Sequence, residues 1–340
     1  MPAELKVGNV VAKKGEYKKG YIKGPELNNG MAMDVPVLVM NGVEDGPTLL
    51  LGSTQHGPEI QGIQVILTSM NEKINPKKLK GAVIGIPVMN PTGFMANRYR
   101  SWVDHLDLGA VRADNPNGGF TEMLNYALWT EAGSKADAFI NMHCNTQPEA
   151  LLFTIADISD PKTAEMNLKI AEALGYTVMR TNSPLRPDAP ATFANLIRRK
   201  GAYTVTPEYI DGRWISEPSQ STGVRGILNV LKVMGMMEGK VEKHTEKFYY
   251  KGGINYMKGL VRPKRGGLIR FLKKNGELIK KDEVFCQVYN LFGETVEDIK
   301  MPFEGYTWSF PCGDFSDTSG EMQTVNSGCG MTFTWTHESD

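Results

Sequence analysis

The sequence predicts an α/β protein with a mixed, mostly parallel sheet covered by helices on both faces, followed by a small all-β C-terminal domain. Two observations support this prediction. From about residue 46 to 240, short apolar segments alternate with longer helical stretches, which is typical of an α/β sheet. After Glu246 the texture changes to short β-type segments separated by glycine-rich turns.

Six short apolar segments in the first region are predicted as strands. They are Thr48–Ser53, Ala82–Val88, Ala138–Met142, Leu151–Thr154, Tyr176–Met179 and Ala202–Thr206. Five longer segments are predicted as helices, namely Ile60–Asn71, Thr121–Ala132, Ala164–Leu174, Ala191–Arg198 and Ser221–Met237. The last of these shows the clearest helical period, with apolar residues at Val224, Ile227, Leu228, Leu231 and Met234.

The predicted domains are residues 1–246 and residues 247–340, with a polar linker at Lys240–Lys247. The first forty residues are expected to add edge strands or a flap. The second domain contains four predicted strands, which are Phe248–Tyr250, Leu268–Leu272, Val284–Val288 and Tyr306–Ser309. Asn275-Gly276 predicts a tight hairpin turn, because both central positions of a type I′ turn require a positive φ.

Composition excludes several classes of partner. Lys+Arg and Asp+Glu balance at 38 each, so nothing indicates binding to nucleic acid or to an anionic membrane surface. No apolar run approaches the roughly 20 residues of a membrane span, and the N-terminal residues lack the apolar core of a signal peptide. The four cysteines form no CxxC pair, which favours a reducing compartment, and we expect a cytoplasmic protein. The sequence leaves homo-oligomerisation open.

Polar side chains follow four of the predicted strands, at the point where each strand ends. They are His56 and Glu59, then Asn90, then His143, and finally Glu208. Ligands of open α/β sheets bind outside the carboxyl ends of the strands. We therefore expect these side chains to meet at one edge of the sheet.

Three of these residues suit a zinc ion. His56 and Glu59 form a His-x-x-Glu pair, and imidazole and carboxylate are ligands that Zn²⁺ favours. His143 is the expected third ligand, although a lone histidine at a strand end is more often a hydrogen-bonded core residue. Three protein ligands with an open fourth position are typical of a catalytic zinc site, so we predict one zinc ion per chain.

Glu208 is the candidate general base, because a water nucleophile needs a proton acceptor within hydrogen-bond reach. The alternative is a solvated loop carboxylate beside Asp211. Arg98 is the candidate partner of a developing oxyanion, with Arg100 as second choice, since a fixed guanidinium stabilises such a charge. Either arginine could equally be an ordinary surface residue.

Around these residues the chain resembles the succinylglutamate desuccinylase/aspartoacylase family of the zinc carboxypeptidase clan. The resemblance covers roughly residues 40–310, and its motifs are specific jointly rather than singly. The matching segments are His56-Gly-Pro-Glu59, Asn90-Pro-Thr-Gly-Phe94, Ile140-Asn-Met-His143, Thr206-Pro-Glu208, Gly223–Val230, Val261–Leu268 and Met301–Tyr306.

The resemblance implies a zinc-carboxypeptidase-like fold and a zinc-dependent hydrolase of a linear amide that removes an acyl group from an amino acid or amine. It implies that His56, Glu59 and His143 hold zinc. Glu208 would activate a water and pass its proton to the leaving nitrogen, and Arg98 would share the oxyanion charge.

One segment departs from the family pattern. Family members carry a D-L-N-R segment whose Asn and Arg grip the substrate carboxylate, whereas this chain has Gly109 and Ala110 after Asp107-Leu108. Loss of such a charge-assisted clamp would remove about 1.5–3 kcal/mol of binding. We therefore hypothesise a substrate without a free α-carboxylate at this position, unless Arg112 replaces the clamp. The predicted substrate contacts are Asn90, Arg100, Gly109, Ala110 and Arg112.

Two other functions remain open at this stage. A metallocarboxypeptidase is disfavoured by the missing clamp, since such enzymes recognise a terminal carboxylate. A non-catalytic protein that keeps zinc as a binding element is disfavoured by the candidate base and by the three-ligand set, because structural zinc sites normally have four protein ligands. We further hypothesise that the C-terminal domain caps the zinc cleft, the alternative being a simple packing partner.

Overall fold

The structure is a computed structural model. It describes residues 3–144, 153–209, 214–217, 219–243, 254–274, 276–307, 324–328 and 332–337. These residues form an eleven-stranded sheet, a four-stranded sheet and a two-stranded hairpin.

The strands are numbered in chain order. Those before residue 240 are β1 (Glu4–Val7), β2 (Val10–Lys13), β3 (Glu16–Ile22), β4 (Val35–Asn41), β5 (Glu44–Ser53), β6 (Lys80–Ile86), β7 (Ala138–Cys144), β8 (Phe153–Asp157), β9 (Thr177–Thr181) and β10 (Tyr203–Tyr209). Those after it are β11 (Ile254–Val261), β12 (Gly267–Phe271), β13 (Val284–Tyr289), β14 (Thr295–Lys300), β15 (Tyr306–Thr307), β16 (Thr324–Val325) and β17 (Thr332–His337).

The helices within the described residues follow the predicted pattern closely. They are α1 (Gln61–Thr68), α2 (Pro91–Ala96), α3 (Phe120–Glu131), α4 (Ala164–Leu174), α5 (Phe193–Arg199) and α6 (Ser219–Val233). A π-helical turn, Ser69–Lys73, continues α1, so the predicted helix Ile60–Asn71 is present in two parts. The short α2 was not predicted. None of these helices combines the length and the apolarity needed to cross a membrane.

The large sheet has the order β15-β17-β11-β9-β8-β10-β7-β5-β6-β4-β3. Its centre is mostly parallel: β6, β5, β7 and β10 run side by side in the same direction. Strand β8 is antiparallel to β10, and β8 and β9 are parallel. The carboxyl ends of β5, β7 and β10 therefore lie next to one another at one edge.

Apolar layers cover both faces of this sheet. On one face, α1, α4 and α6 pack through residues such as Val65, Ile170 and Ile227. On the other face, α3, α5 and the β1–β2 hairpin pack through residues such as Leu124 and Ile197. The alternation along β5 explains this division, because Leu49 and Leu51 face the first layer and Leu50 faces the second.

The C-terminal region divides between two sheets. Strands β12, β13, β14 and β16 form a separate antiparallel sheet with its own core around Phe285 and Val288. Strand β11 instead pairs in parallel with β9, and β17 and β15 follow it, so three C-terminal strands extend the large sheet. The predicted fold class is confirmed, whereas the domain limits at 246 and 247 and the cap stay predictions.

Some details of the predicted C-terminal strands differ. The segment Phe248–Tyr250, the residue Asn275 and the tail of the predicted strand Tyr306–Ser309 lie outside the described residues. Strands β12 and β13 pair antiparallel, and the turn at Asn275-Gly276 stays a prediction because Asn275 is not among the described residues. Gly276 has a positive φ of 77°, and its N–H donates to the Thr307 carbonyl.

Candidate metal centre

A buried turn after β5 delivers the His-x-x-Glu pair to the edge of the sheet. Thr54 adopts a left-handed φ of 56°, which is uncommon for a β-branched residue and costs on the order of 1–3 kcal/mol. Its hydroxyl donates to the Glu59 carbonyl at 3.1 Å, and its own carbonyl accepts from the Asn90 N–H at 3.0 Å. The turn therefore fixes the backbone of Glu59 immediately before α1 begins.

The Glu59 carboxylate lies between two imidazoles. Its Oε1 is 2.7 Å from His56 Nδ1, and its Oε2 is 2.8 Å from His143 Nδ1. The backbone N–H of Cys144 also donates to Oε2 at 3.3 Å. The predicted ligand atoms therefore come together in the structure, although they belong to segments some 85 residues apart in the chain.

These three side chains are nearly buried, with relative exposures of 5% for His56, 6% for Glu59 and 8% for His143. Burial alone raises the pKa of Glu59, but the two imidazoles outweigh this effect and hold its pKa below the usual range. Burial lowers the pKa of His56, but Glu59 and Asp107 outweigh that effect and raise it. The two oxygens of the Glu59 carboxylate therefore each face one imidazole nitrogen.

The donor set fits a zinc ion. One nitrogen from each histidine and a carboxylate oxygen lie within 4.8 Å of one another, and all three residues are buried. Two histidines and one glutamate form one of the known catalytic zinc sets. The hard cations Mg²⁺ and Ca²⁺, by contrast, require mainly oxygen ligands. The residues present therefore suit zinc better than a hard cation.

Glu208 lies beside this centre. It is the Cα partner of His143 in the parallel pair β10–β7, so both side chains project from the same face of the sheet. Its exposure is 9%, and burial, reinforced by the charge of Glu59, raises the pKa of Glu208 well above its ordinary value. A carboxylate whose pKa is raised is a stronger proton acceptor than an ordinary glutamate.

The structure places Asn90 and the two arginines near the same turn. The Asn90 side chain caps α2 by accepting from the Gly93 N–H at 2.9 Å, and it donates to the Gln55 carbonyl at 3.1 Å. These bonds use both the oxygen and the nitrogen of the Asn90 amide, so the side chain connects α2 to the turn at Gln55. The Arg98 carbonyl accepts from the Gly57 N–H, while its side chain is exposed. Arg100 is half-buried, and within the described residues its buried Nε has no hydrogen-bond partner.

The segment that departs from the family pattern contains no clamp among its own side chains. The Gly109 N–H donates to Asp107 Oδ1 at 2.8 Å, and Ala110 is exposed. Arg112 forms two 2.9 Å hydrogen bonds to Asp114, and its side chain is 54% exposed. The guanidinium of Arg112 is thus paired with the carboxylate of Asp114, two residues along the chain. The substrate contacts assigned to these residues stay predictions.

Several residues that contact the centre had no role in the sequence analysis. Asp107 Oδ1 lies 3.5 Å from His56 Nε2, and the Tyr99 ring stacks on the His56 ring with centroids 3.5 Å apart. Gln55 and Asn141 reach the outer nitrogens of the two histidines. Only Asn141 has a local signal: it precedes His143 by two residues on one strand and so shares its face. Gln55, Tyr99 and Asp107 lie in loops, so strand periodicity gives no sign that they contact the centre.

The chain is similar to several known proteins. It is 26% identical over 292 residues to N-alpha-acetyl-L-2,4-diaminobutyric acid deacetylase of Halomonas elongata, covering 84% of this chain and 83% of that protein.

Among solved structures, a succinylglutamate desuccinylase/aspartoacylase from Rhodobacter sphaeroides superposes with a TM-score of 0.79 at 23% identity, covering 95% of this chain and 96% of the other. The product-bound ectoine utilization protein EutE (DoeB) from Ruegeria pomeroyi gives 0.79 at 19% identity, covering 98% and 99%. At these identities the two structures show a shared fold.

A family model decides the classification. The model of the succinylglutamate desuccinylase/aspartoacylase catalytic domain matches residues 45–234. This match spans more than half of the chain and includes β7, β10, all of β5 except Glu44, and all four residues of the candidate metal and base positions. The chain therefore belongs to the succinylglutamate desuccinylase/aspartoacylase family.

Proposed function

We propose that this protein is a zinc-dependent hydrolase of a linear amide, which removes the acyl group from an N-acyl amino acid or amine. The observation that carries the proposal is the position of Glu59 between His56 and His143, with Glu208 next to His143 on the neighbouring strand. The name of the Halomonas elongata relative, a deacetylase of an N-acetylated amino acid, supports the same class of reaction.

His56, Glu59 and His143 would hold the ion. Zinc in such a set lowers the pKa of a coordinated water toward 7 and polarises a carbonyl oxygen. Glu208 would accept the proton of the attacking water, because its carboxyl group lies on the face and at the edge where His143 projects. It would then return this proton to the leaving nitrogen, so that the amine departs uncharged and the carboxyl group is reset.

We further propose that an arginine stabilises the oxyanion that forms when water adds to the amide carbonyl. Arg98 and Arg100 are both candidates, because the backbone of this segment is tied to Gly57 of the metal motif through the Arg98 carbonyl. The exposed Arg98 side chain can move, whereas Arg100 already has a buried Nε without a partner in the described part of the chain.

Removal and return of the metal tests this function. After treatment with a chelator, we expect the protein to lose hydrolysis of a panel of N-acyl amino acids and N-acyl amines. About one equivalent of zinc per chain should restore it, since one ion completes the site. Hydrolysis that does not depend on the metal would contradict the proposal. If the protein binds zinc but hydrolyses no amide in the panel, it would instead be a zinc-retaining binding protein.

The missing clamp predicts the substrate preference. Neither Gly109 nor Ala110 offers a charged side chain, and Arg112 is already paired with Asp114. We therefore expect an N-acyl amino acid and its C-terminal amide to be hydrolysed with kcat/KM values within about tenfold, which corresponds to less than about 1.4 kcal/mol. A preference for the free acid of about a hundredfold or more would show that another group grips the carboxylate, and would revive the carboxypeptidase interpretation.

A further inference from the structure

Two neutral amides connect the outer nitrogens of the metal-centre histidines. The Gln55 amide nitrogen lies 3.4 Å from His56 Nε2, and the Gln55 amide oxygen lies 3.3 Å from Asn141 Nδ2. Asn141 Nδ2 in turn lies 2.8 Å from His143 Nε2. The four side chains thus form a continuous chain of contacts from one imidazole to the other, on the side away from Glu59.

The direction of these hydrogen bonds follows from the tautomers of the histidines. When Nδ1 carries the proton and donates to Glu59, Nε2 is an acceptor, and Asn141 can donate to it. When Nδ1 instead binds a metal, Nε2 carries the proton and must donate. A half-turn of both amides exchanges oxygen for nitrogen and reverses the whole chain of bonds. Within the described residues Asn141 Oδ1 is buried and has no partner, so the reversal breaks no hydrogen bond of this atom.

In the reversed chain, each contact between the four side chains pairs a donor with an acceptor. The Asn141 oxygen accepts from His143 Nε2–H and from the Gln55 amide, and the Gln55 oxygen accepts from His56 Nε2–H. Asp107 shares this last proton, since its Oδ1 is 3.5 Å from His56 Nε2. Each imidazole is then held in the orientation that presents Nδ1 to the ion. Such outer hydrogen bonds typically change metal affinity by about 10–100-fold.

The glycine at 109 is part of the same arrangement. A Cβ atom at Gly109 would lie 2.2 Å from the Gln55 amide nitrogen and 2.9 Å from its amide carbon. The atoms that it would meet are the far end of a flexible side chain, so the fold could accommodate alanine by displacing the Gln55 amide. The absence of a side chain at 109 is therefore coupled to the position of Gln55.

We propose that Gln55 and Asn141 are positioning residues that together orient both zinc-binding imidazoles, and that Gly109 is required to leave space for the Gln55 amide. This inference rests on the proposed zinc site. It also explains the glycine at 109 in a second way, besides the loss of the carboxylate clamp: a side chain there would displace the Gln55 amide.

The test measures metal affinity rather than turnover. Zinc affinity is obtained by competition with a chelator, and the ligand field by the visible absorption of the Co²⁺-loaded protein. The variants are Gln55→Met, which keeps side-chain length without the amide, Asn141→Ala, and Gly109→Ala. We expect each to weaken zinc binding by about 10–100-fold and to shift the Co²⁺ spectrum. The unfolding temperature of the chelator-treated protein should stay close to that of the wild type.

Combined and conservative substitutions test whether the Gln55 and Asn141 amides, here called the amide bridge, act as one unit. Gly109→Ala should cost no further affinity in the Gln55→Met background, because the amide that it displaces is already gone. Asn141→Asp should retain wild-type affinity, since a carboxylate accepts both hydrogen bonds of the reversed chain. Gln64→Ala is the matched control, because Gln64 is also half-buried and its amide donates to the Thr68 hydroxyl in its own helix.

The outcomes separate the two proposals. If the wild type binds no zinc, the proposed function itself fails. If the wild type binds zinc and Gln55→Met, Asn141→Ala and Gly109→Ala all bind it within about threefold, with an unchanged Co²⁺ spectrum, the amide bridge is overturned while the zinc site stands. If Asn141→Ala does not fold, Gln55→Met and Gly109→Ala decide by themselves.

Discussion

Replacing Glu208 with glutamine is expected to lower kcat by about 10²–10⁴-fold, because the amide cannot accept a proton from the attacking water. Zinc binding should be unaffected, since the three predicted ligands are His56, Glu59 and His143 and Glu208 is not among them. Kinetics on the N-acyl substrate with the fastest turnover, together with metal analysis of the same preparation, checks both halves of this prediction.

A suitable control is Glu131→Gln. Glu131 is a half-buried carboxylate at the end of α3 that accepts a hydrogen bond from the Gly8 N–H, and it is neither a predicted ligand nor the candidate base. This variant should retain wild-type kinetics. If Glu208→Gln kept kcat within about tenfold of the wild type, a difference worth less than about 1.4 kcal/mol, Glu208 would not be the base. If it lost zinc instead, Glu208 would belong to the ligand set.

Replacing His143 with alanine is expected to abolish activity by removing the metal. The side chain is one of the three predicted ligands. Its loss should therefore weaken zinc binding by about 10²-fold or more, which is a larger effect than the loss of an outer hydrogen-bond partner. It also leaves Glu59 Oε2 without its 2.8 Å contact. Zinc titration with a chromophoric chelator measures the effect directly.

His105 offers the comparison for this variant. It is an exposed loop histidine with a positive φ of 58°, so asparagine, which tolerates that conformation, is the appropriate replacement. His105→Asn should bind zinc like the wild type. Tight stoichiometric zinc binding by His143→Ala would show that the histidine is a core residue, which is the alternative that the sequence left open.

Much of the fold follows from the sequence because its central strands are buried on both faces. Such strands appear as short, continuous apolar runs, and Thr48–Ser53 and Ala138–Met142 indeed lie within β5 and β7. The helix at 221–237 was likewise recognisable from its period, although α6 ends at Val233, two residues before Gly235 with its positive φ. Local pattern was sufficient for these elements.

The C-terminal strands show where local pattern fails. Strand β11 pairs with Val178 and its neighbours in β9, and no periodicity in residues 254–261 indicates which sheet they join. The same pattern fits a strand of a separate β domain. Long-range pairing is set by the edge that β9 leaves open, which is a property of the assembled sheet.

The candidate site was predictable to the extent that strand ends define it. His143 and Glu208 share an edge because β7 and β10 are parallel neighbours with these residues in register. The contacts around the ligands were not predictable. Tyr99 and Gln55 reach His56 from loops whose course depends on the left-handed turn at Thr54 and on the cap that Asn90 provides to α2.

The most direct measurement is a crystal structure of the zinc-loaded protein with anomalous data at the zinc edge. We expect a single strong peak about 2.0–2.2 Å from His56 Nδ1, His143 Nδ1 and a carboxylate oxygen of Glu59, with the fourth position open to solvent and facing Glu208. A peak at other residues, or a fourth protein ligand that closes the site, would contradict the assignment of these residues as a hydrolytic zinc centre.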